Sequence, residues 1–546
     1  MAEDQWRMSI QGMTCTDCEL HVTEALERAG AQGVRADFRR GEARFFLPEG
    51  VDSAGLAPAV RAVGYRPVGL EAPGTPPRRA AAAGEYDLAI VGSGSAAFAA
   101  AIRARDQGAR VVMVERGTLG GTCVNVGCIP SKALLRAAAA RHAAGHHPFT
   151  GIATTAGPVD APALWAQKDE LVARLRKEKY EDIVEAYGWE VLRGTASFRD
   201  AATLEVDGQP LTARAYLLAT GARPAVPAIP GLAEAGYLTS TTALSLGRVP
   251  ASLAVIGSGY IALELGQLFA RLGSRVTMMQ RHPHLLKEYE PEIGTAVEGF
   301  LADEGIDVLA GVRYLGVETD GKTRRVRVTH QGKERVVEAE ELLVATGRQP
   351  NTEELALARA GITPGSRGEI PVDEHLRTAN PRVYAAGDVT FGPQFVYVAA
   401  YEGGLAAQNA LGADRRVDLA TVPSVIFTDP SVATVGLTEA QARAAGHQVK
   451  VSVLPLDAVP RALANRDTRG LVKLVADADD DRLLGAHLVA DAAGEVIYAA
   501  SLAVRYRLTV ADLSDALAPY LTMAEGLRLA AQTFGRDVHL LSCCAG

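Results

Sequence analysis

Long hydrophobic runs and a surplus of basic residues are both missing from this 546-residue sequence. No apolar stretch reaches the roughly 18 residues that cross a bilayer, and the N-terminus lacks the hydrophobic core of a secretory signal. We therefore expect a cytoplasmic protein with no membrane partner. The formal net charge of −8 leaves no cationic excess to meet phosphates, which argues against nucleic acid as the main partner.

Cysteine is scarce as well, but the six cysteines are not scattered. Dense disulfide frameworks belong to small secreted domains, whereas local pairs in a cytosolic chain indicate metal binding or redox chemistry. A chain of this length also exceeds the roughly 250–300 residues at which single cores stop growing, so we expect several domains. The cysteines form three pairs: Cys15/Cys18, Cys123/Cys128 and Cys543/Cys544.

The central pair lies in the segment 120–132, between glycines and the helix-like, alanine-rich run 133–140. A sulfur at the start of a helix meets the positive end of the helix dipole, which favours thiolate over thiol. This environment suits a disulfide that is made and broken during a reaction. A structural disulfide, or two unpaired core cysteines, is the ordinary alternative for a pair chosen at random.

A strand–glycine–helix pattern precedes the central pair and predicts a dinucleotide-binding fold. The apolar strand 86–91 runs into Gly92-Ser93-Gly94-Ser95-Ala96-Ala97, whose glycines let the backbone approach a pyrophosphate at a helix N-terminus. The next strand, 110–114, ends at Glu115, where a carboxylate should meet ribose hydroxyls.

The same pattern recurs at 252–262, which implies a second domain of this kind and a second dinucleotide. Here Gly257 and Gly259 form the fingerprint, but Gln280 stands where the acid is expected and Arg281 follows it. A cation in place of the carboxylate fits a ribose 2′-phosphate, so the sequence favours NADPH over NADH. An exposed Arg281 without a specific role is the alternative.

The first 70 residues predict a small α+β unit, followed by a tether at 71–84 that is rich in proline, glycine and alanine. Cys15 and Cys18, on a loop that enters a helix, could bind one soft cation together, or could form a thioredoxin-like redox pair. The loop 12–18 resembles the metal-binding loop of heavy-metal-associated domains, which fold as βαββαβ.

Residues 120–132 resemble, nearly letter for letter, the redox motif of the flavin-dependent pyridine nucleotide–disulfide oxidoreductases. Segments 216–222 and 342–348 resemble the crossover points of that family, and 383–388 resembles its second flavin motif. The implied fold class is α/β, with two Rossmann-like FAD- and NAD(P)-binding domains, an α+β C-terminal dimerisation domain, and a small ferredoxin-like βαββαβ metal-binding domain in front. The implied boundaries are 1–70 for the metal-binding domain, 71–84 for the linker, 85–235 with 357–415 for the FAD-binding domain, 236–356 for the NADPH-binding domain and 416–546 for the dimerisation domain with its Cys-Cys tail.

One position departs from the disulfide reductases of that family. Tyr520 stands where their C-terminal histidine is expected, five residues before Glu525. A phenol, with a reference pKa near ~10, cannot act at neutral pH as the base that imidazole provides, which argues against a small disulfide as substrate. Cys543 and Cys544 could pass a soft cation onward by thiolate exchange. Incidental cysteines on a frayed tail, or the redox tail of a large thioredoxin reductase, are the alternatives.

Taken together, the three thiol pairs, the metal-domain arm and the missing histidine resemble the mercuric reductases. That resemblance implies FAD, one per subunit, and NADPH as cofactors, thiol-bound Hg(II) as substrate, and a homodimer whose active site is shared between subunits. Cys15 and Cys18 would capture Hg(II), and the tail pair would relay it to the central pair of the partner subunit. Reduction there to Hg(0) would confer mercury resistance.

The resemblance also assigns the site residues. Cys128 would lie against the flavin and Cys123 would be the outer, exchanging thiol, while Lys132 and Glu264 would pair near the flavin ring. Tyr180 matches an active-site tyrosine, although a plain helix-face aromatic is the alternative. The catalytic set is Cys123, Cys128, Tyr180, Tyr520 and Glu525; the metal set is Cys15, Cys18, Cys543 and Cys544; the cofactor set is Gly92, Gly94, Ala97, Glu115, Gly117, Thr122, Lys132, Ala196, Asp388 and Val396 with Gly257, Gly259, Glu264 and Arg281.

Two other functions stay open at this point. One is an NADPH-dependent disulfide or dithiol reductase, like lipoamide dehydrogenase or glutathione reductase, with an accessory metal-binding domain. The other is a metallochaperone or metal sensor that retains a reductase scaffold.

Overall fold

The structure is a computed structural model that describes residues 5–11, 13, 16–38, 41–48, 51–71 and 86–537. Predictions that concern Cys15, Cys543, Cys544 and residues 72–84 of the linker lie outside the described residues. Within the described ranges, we find no helix with the length and apolar character that a membrane span requires.

The N-terminal unit alternates strands and helices around a small apolar core. Met8 and Ile10 on one strand, and Val22 and Leu26 on one helix, are fully buried against each other. The sheet order is β2-β3-β1-β4, with β1 antiparallel to both of its neighbours. The elements are β1 (Trp6–Gln11), α1 (Thr16–Arg28), β2 (Gln32–Asp37), β3 (Glu42–Phe46), α2 (Leu56–Ala62) and β4 (Arg66–Glu71).

The next unit is built on a parallel sheet whose central strands are covered on both faces. Residues 88–91 are all buried, as a parallel strand between two layers requires. The sheet runs β7-β6-β5-β10 and continues into the antiparallel strands β9 and β8. The elements are β5 (Tyr86–Val91), α3 (Ser95–Asp106), β6 (Val111–Glu115), α4 (Gly121–Val126), α5 (Cys128–His146), α6 (Ala161–Arg176), α7 (Asp182–Tyr187), β7 (Glu190–Arg193), β8 (Ala196–Phe198), β9 (Thr203–Val206), β10 (Gln209–Leu218) and β11 (Ala222–Pro224).

A second parallel sheet, in the order β14-β13-β12-β18, repeats the pattern and carries an antiparallel meander, β15-β16-β17. Every residue of 252–256 is buried at its centre. The elements are α8 (Leu232–Ala235), α9 (Ser240–Ala243), β12 (Ser252–Ile256), α10 (Tyr260–Leu272), β13 (Arg275–Gln280), α11 (Pro291–Asp303), β14 (Asp307–Ala310), β15 (Arg313–Thr319), β16 (Arg324–His330), β17 (Lys333–Ala339) and β18 (Glu341–Val344).

The chain then returns to the first sheet. Strand β19 (Arg348–Pro350) pairs with β11, strand β20 (Val383–Ala385) adds to β10 in parallel, and helix α12 (Val396–Ala410) packs against α3. The two segments predicted as crossover points therefore meet through β11 and β19. Because of this return, residues near 388 and residues near 92 belong to the same layer.

An antiparallel sheet, β21-β22-β25-β24-β23, ends the described chain. Together with the two parallel sheets it confirms the predicted mixed α/β fold. The elements are β21 (Ser424–Ile426), β22 (Ser431–Gly436), α13 (Glu439–Ala444), β23 (Val449–Pro455), α14 (Pro460–Asn465), β24 (Leu471–Asp477), β25 (Leu483–Ala490), α15 (Ala493–Arg505), α16 (Val510–Asp515) and α17 (Glu525–Gln532).

Buried charges join the second parallel sheet's unit to the C-terminal unit. Arg271 on α10 is buried; its guanidinium lies 2.6 Å from Glu304 and 2.7 Å from Asp429. Lys473 on β24 is buried as well, with Nζ 2.9 Å from Glu290. Buried ions of this kind are costly to leave unpaired, so the two pairs that cross between the units, Arg271–Asp429 and Lys473–Glu290, depend on the units staying in place.

Candidate active site

The central cysteines lie where α4 meets α5. Cys123 is inside α4 and Cys128 is the first residue of α5, and only the kink at Gly127 separates the helices. A side chain does not fit at that kink, because a Cβ on Gly127 would lie 2.9 Å from the carbonyl oxygen of Thr122. Both cysteines are partly buried free thiols. The kink brings the two sulfurs within hydrogen-bond reach.

The two thiols share their protons unequally. The hydrogen bond that Cys123 donates lowers the pKa of Cys128 to about 7; burial opposes this shift, and the charge of Lys132 adds to it. The same bond, together with burial, raises the pKa of Cys123. Cys128 is therefore the thiol that ionises first, in agreement with its place at a helix N-terminus.

Lys132, one turn after Cys128, is held by a carboxylate from the second unit. Its Nζ lies 2.6 Å from Oε2 of Glu264, which is buried on α10. The other oxygen of Glu264 accepts the backbone N–H of Phe427 at 3.0 Å, and the Lys132 ammonium lies 4.6 Å from the centroid of the Phe427 ring. One predicted pair thus joins three parts of the chain next to the thiols.

Tyr180 also reaches the cysteine segment. It belongs to a π-helical turn, Lys177–Glu181, a rare local form that is frequent at functional sites. Its ring packs edge-on against Phe98 at 4.7 Å and covers Gly120, where an added Cβ would lie 3.3 Å from the ring. Burial, and negative charge on the Cys123–Cys128 pair, raise the pKa of its phenol, which also bonds to Ser95. Tyr180 is therefore a neutral hydroxyl beside the thiols.

The first glycine fingerprint packs directly against the start of the cysteine segment. Gly92 has φ +107°, and a Cβ there would lie 2.3 Å from the carbonyl oxygen of Ala219. Gly121 has φ +60°, and a Cβ there would lie 2.7 Å from the Cα of Gly94, while the N–H of Gly120 donates to the carbonyl of Ser93. These glycines leave bare backbone at the N-terminus of α3.

Glu115 ends β6 beside this bare backbone. Its carboxylate accepts the hydroxyl of Ser93 and the N–H of Gly117, both at 2.5 Å. A cavity opens at the same edge of the sheet, and the predicted residues Gly92, Glu115 and Ala196 all line it. Further lining residues that the sequence analysis did not single out are Arg116, Thr195, Thr220, Asn351, Glu353 and Glu354.

The second fingerprint has the same geometry. Gly257 has φ +123°, and a Cβ there would lie 2.2 Å from the carbonyl oxygen of Ala345; Gly259 caps α10. Gln280 ends β13, and Arg281 after it is exposed to solvent. The backbone is therefore open at the start of α10, with a cation at the edge of the neighbouring strand.

Two polar residues near Asp388 were missed by the sequence analysis. Asp388 Oδ2 lies 3.3 Å from Nε of Arg348, and the N–H of Gly387 donates to Oε2 of Glu402 at 2.7 Å. Glu402 is buried on α12, and burial, reinforced by the charge of Asp388, raises its pKa to about 7. The available signal was a single charged residue inside the otherwise uncharged run 396–410.

The remaining predicted residues lie on other elements. Ala97 is buried in α3, Thr122 is exposed in α4, and Val396 is the first residue of α12. Glu525 begins α17, which packs on β23 and β24; burial raises its pKa. Tyr520 is exposed and lies shortly before α17, and Cys18 is buried in the core of the N-terminal unit.

Comparisons with known proteins agree with this geometry. A family model described as pyridine nucleotide-disulphide oxidoreductase matches residues 86–403, and the model of that family's dimerisation domain matches 422–531. The chain is 56% identical to a mercuric reductase of Staphylococcus aureus over the full length of both, and 54% identical to one of Bacillus cereus over 99% of this chain and 87% of the other.

A solved structure is also similar. The Cu(II) complex of the HOCl-induced flavoprotein disulfide reductase RclA from Escherichia coli superposes with a TM-score of 0.74 at 30% identity, covering 82% of this chain and 99% of that one. A family model that spans more than half of the sequence, and relatives that match it from end to end, lead to one conclusion. The chain belongs to the pyridine nucleotide-disulphide oxidoreductases and, within them, to the mercuric reductases.

Proposed function

We propose that this protein reduces Hg(II) to Hg(0) with NADPH and thereby detoxifies mercury. The observation that carries the proposal is the cysteine pair at the junction of α4 and α5, where a hydrogen bond from Cys123 lowers the pKa of Cys128 to about 7 and the ring of Tyr180 packs on Gly120. A soft cation selects thiolate ligands, and the lowered pKa of Cys128 makes a thiolate available to it. The full-length similarity to mercuric reductases supports this substrate.

The residues around the first fingerprint fit FAD. Glycines with positive φ leave room for a pyrophosphate at the start of α3, and Asp388 is partly buried beside Arg348 in the same layer. When bound, FAD supplies the two-electron link between NADPH and the cysteine pair. The residues proposed to hold it are Gly92, Gly94, Ala97, Glu115, Gly117, Thr122, Lys132, Ala196, Asp388 and Val396.

NADPH is proposed to bind at the second fingerprint. Gly257 and Gly259 leave the backbone open there, Gln280 stands where an acid would select NADH, and Arg281 follows it with a positive charge. Glu264 holds Lys132 between the two sites, which keeps a positive charge beside the thiolate of Cys128.

The cysteine pair itself performs the metal chemistry in this proposal. Hg(II) displaces the proton of Cys123 when both sulfurs bind, because metal-bound thiols are deprotonated. Tyr180 then borders the metal with a hydroxyl that carries no charge. Reduction delivers two electrons to the ion, and Hg(0), which has no charge for the thiolates to hold, leaves the site.

The rest of the chain is proposed to deliver the ion. Cys15 and Cys18 in a metal-binding domain, 1–70, would capture Hg(II), and Cys543 and Cys544 would pass it to the central pair of a second subunit, near Tyr520 and Glu525. The FAD-binding (85–235 with 357–415), NADPH-binding (236–356) and dimerisation (416–546) domains, the linker 71–84, the homodimer with a shared active site and the cytoplasmic location also stay predictions. The match to the dimerisation domain supports the dimer.

A disulfide reductase is the second candidate, because RclA, the similar solved structure, is named a flavoprotein disulfide reductase. NADPH oxidation by the purified, flavin-loaded protein separates the two candidates. With thiol in excess, we expect turnover that depends on Hg(II) and is lost in Cys123→Ala. Faster turnover with glutathione disulfide or lipoamide than with Hg(II) would favour the second candidate.

A further inference from the structure

Arg176, the last residue of α6, connects the two segments that carry the thiols and Tyr180. Its Nη1 donates to Oδ1 of Asn125 at 3.2 Å, and its Nε lies 3.5 Å from Oε1 of Glu181. Asn125 lies between the two cysteines in sequence, and Glu181 directly follows Tyr180. One guanidinium therefore bonds to both segments.

On the cysteine side, Asn125 fixes the turn that precedes Cys123. Its amide nitrogen donates to the carbonyls of Leu119 at 2.8 Å and Gly121 at 2.9 Å, so only the side-chain oxygen is left to accept Arg176. The position of that oxygen follows the position of the turn. A hydrogen bond from Arg176 to this oxygen therefore fixes the position of α6 relative to the cysteine segment.

On the tyrosine side, the π-helical turn makes the position of Tyr180 sensitive to such a bond. The extra residue in a π turn changes the direction of the following side chains relative to a regular helix. The Tyr180 ring packs over Gly120, directly against the same turn that Asn125 fixes. Moving the π turn by a fraction of an ångström would therefore move the phenol relative to Cys123.

We propose that Arg176 is a positioning residue that sets the place of the Tyr180 hydroxyl beside the Cys123–Cys128 pair, an inference that rests on the proposed Hg(II) reduction at this pair. Stability alone does not account for the arrangement. The side chains of Arg176 and Glu181 are 31% and 49% exposed, and ion pairs with that exposure add little to folding. Both partners of Arg176 instead belong to the segments of the site: Asn125 lies two residues after Cys123, and Glu181 directly follows Tyr180.

A double-mutant cycle of Arg176→Ala and Tyr180→Phe in the flavin-loaded, full-length enzyme tests the proposal. Two quantities are measured: kcat for Hg(II) with excess thiol, and the rate at which iodoacetamide alkylates the reduced cysteine pair without mercury. Loss of one positioning hydrogen bond should lower kcat by about fivefold and should change the alkylation rate by a similar factor. Because Arg176 acts through Tyr180, the double variant should match Tyr180→Phe alone.

Arg174→Ala, exposed on the same last turn of α6, is the matched control and should behave as wild type. Additive effects in the cycle, or an Arg176→Ala variant with wild-type values in both measurements, would overturn the positioning role. If wild type shows no turnover with Hg(II) but the alkylation cycle is non-additive, the proposed function fails and the positioning role stands. Arg176→Lys, which can bond to only one of the two partners, should restore part of the loss.

Discussion

At the scale of single residues, the site depends on how two sulfurs divide their protons. Cys123 donates its proton toward Cys128, so the pair holds one negative charge near neutral pH and can release a second proton when a metal binds. Lys132 stabilises that charge, and Glu264 keeps Lys132 in place. The role of Cys123 as the donor can be tested directly.

Removing the donor should raise the pKa of the remaining thiol. In Cys123→Ala the pKa of Cys128 should move from about 7 toward the ordinary value of roughly 8.5, because the hydrogen bond from Cys123 is the largest cause of the shift. The pKa of Cys128 is measured from the pH dependence of its alkylation, which is followed as the loss of thiolate absorbance. A midpoint that stays near 7 would mean that Lys132 and the helix terminus set the value.

Because the pKa of Glu402 is raised, we expect the protein to lose stability as the pH rises. Its folded-state pKa of about 7 lies above the ordinary carboxyl value, so its stabilising contribution is complete below about pH 4.5 and is lost as the pH rises through 7. Glu402→Gln should remove this slope and be the more stable protein at pH 8, by at most about 3 kcal/mol. Denaturant unfolding at pH 5.5 and pH 8 measures the difference.

Glu341→Gln is a control for that measurement, since Glu341 is a buried carboxylate on β18 that pairs with Arg248 and Arg324. Its replacement should lower stability but leave the pH slope in place. An unchanged slope in Glu402→Gln would show that burial does not hold this carboxyl neutral.

At the scale of elements, the glycine turns decide whether two helices can start side by side. Gly121→Ala adds a Cβ 2.7 Å from the Cα of Gly94 at φ +60°, so both fingerprint and cysteine segment must move. We expect the purified variant to lose most of its flavin, read as the absorbance ratio of flavin to protein. Gly108→Ala, with φ +75° but open space around the Cβ, should lose only roughly 1–2 kcal/mol of stability and keep its flavin. Equal flavin loss in both variants would show that the strain of a positive φ causes the loss, and that the close contact with Gly94 does not.

Elements set by local patterns could be predicted from the sequence. Buried runs such as 88–91 and 252–256, each followed by a glycine fingerprint and a helix, predicted the parallel strands, and the alanine-rich run after Cys128 predicted the helix that begins there. Contacts between distant residues left no such pattern. Arg348 reaches Asp388 only because β19 pairs with β11, and Glu402 reaches Gly387 only because α12 packs on α3. The π turn at Tyr180 likewise has no periodicity that would distinguish it from a regular helix.

At the scale of the whole molecule, the cysteine site depends on units that are far apart in sequence. Glu264 and Phe427, which orient Lys132, come from the second sheet's unit and from the C-terminal part of the chain. The buried cluster around Arg271 holds those two parts together. The site therefore requires the units to stay docked.

Arg271→Ala should break this docking. It removes the nearest cation from the Glu304 side chain, which is 4% exposed and keeps only Arg469 at 3.6 Å. Removing one partner of a buried ion pair typically costs about 3–5 kcal/mol, so the midpoint of denaturant unfolding should fall clearly. Arg275→Ala, exposed at the start of β13, is the control and should change stability by less than about 0.5 kcal/mol. Similar midpoints for the two variants would contradict the docking role of the cluster.

The central claim is that two electrons from NADPH reach a mercury ion held by the Cys123–Cys128 pair. The most direct measurement is the amount of Hg(0) vapour released per NADPH oxidised by the flavin-loaded protein, with Hg(II) supplied as a complex with excess thiol. We expect one Hg(0) per NADPH oxidised, and no vapour above background from Cys123→Ala or Cys128→Ala. NADPH oxidation without Hg(0), or undiminished Hg(0) release from either variant, would contradict it.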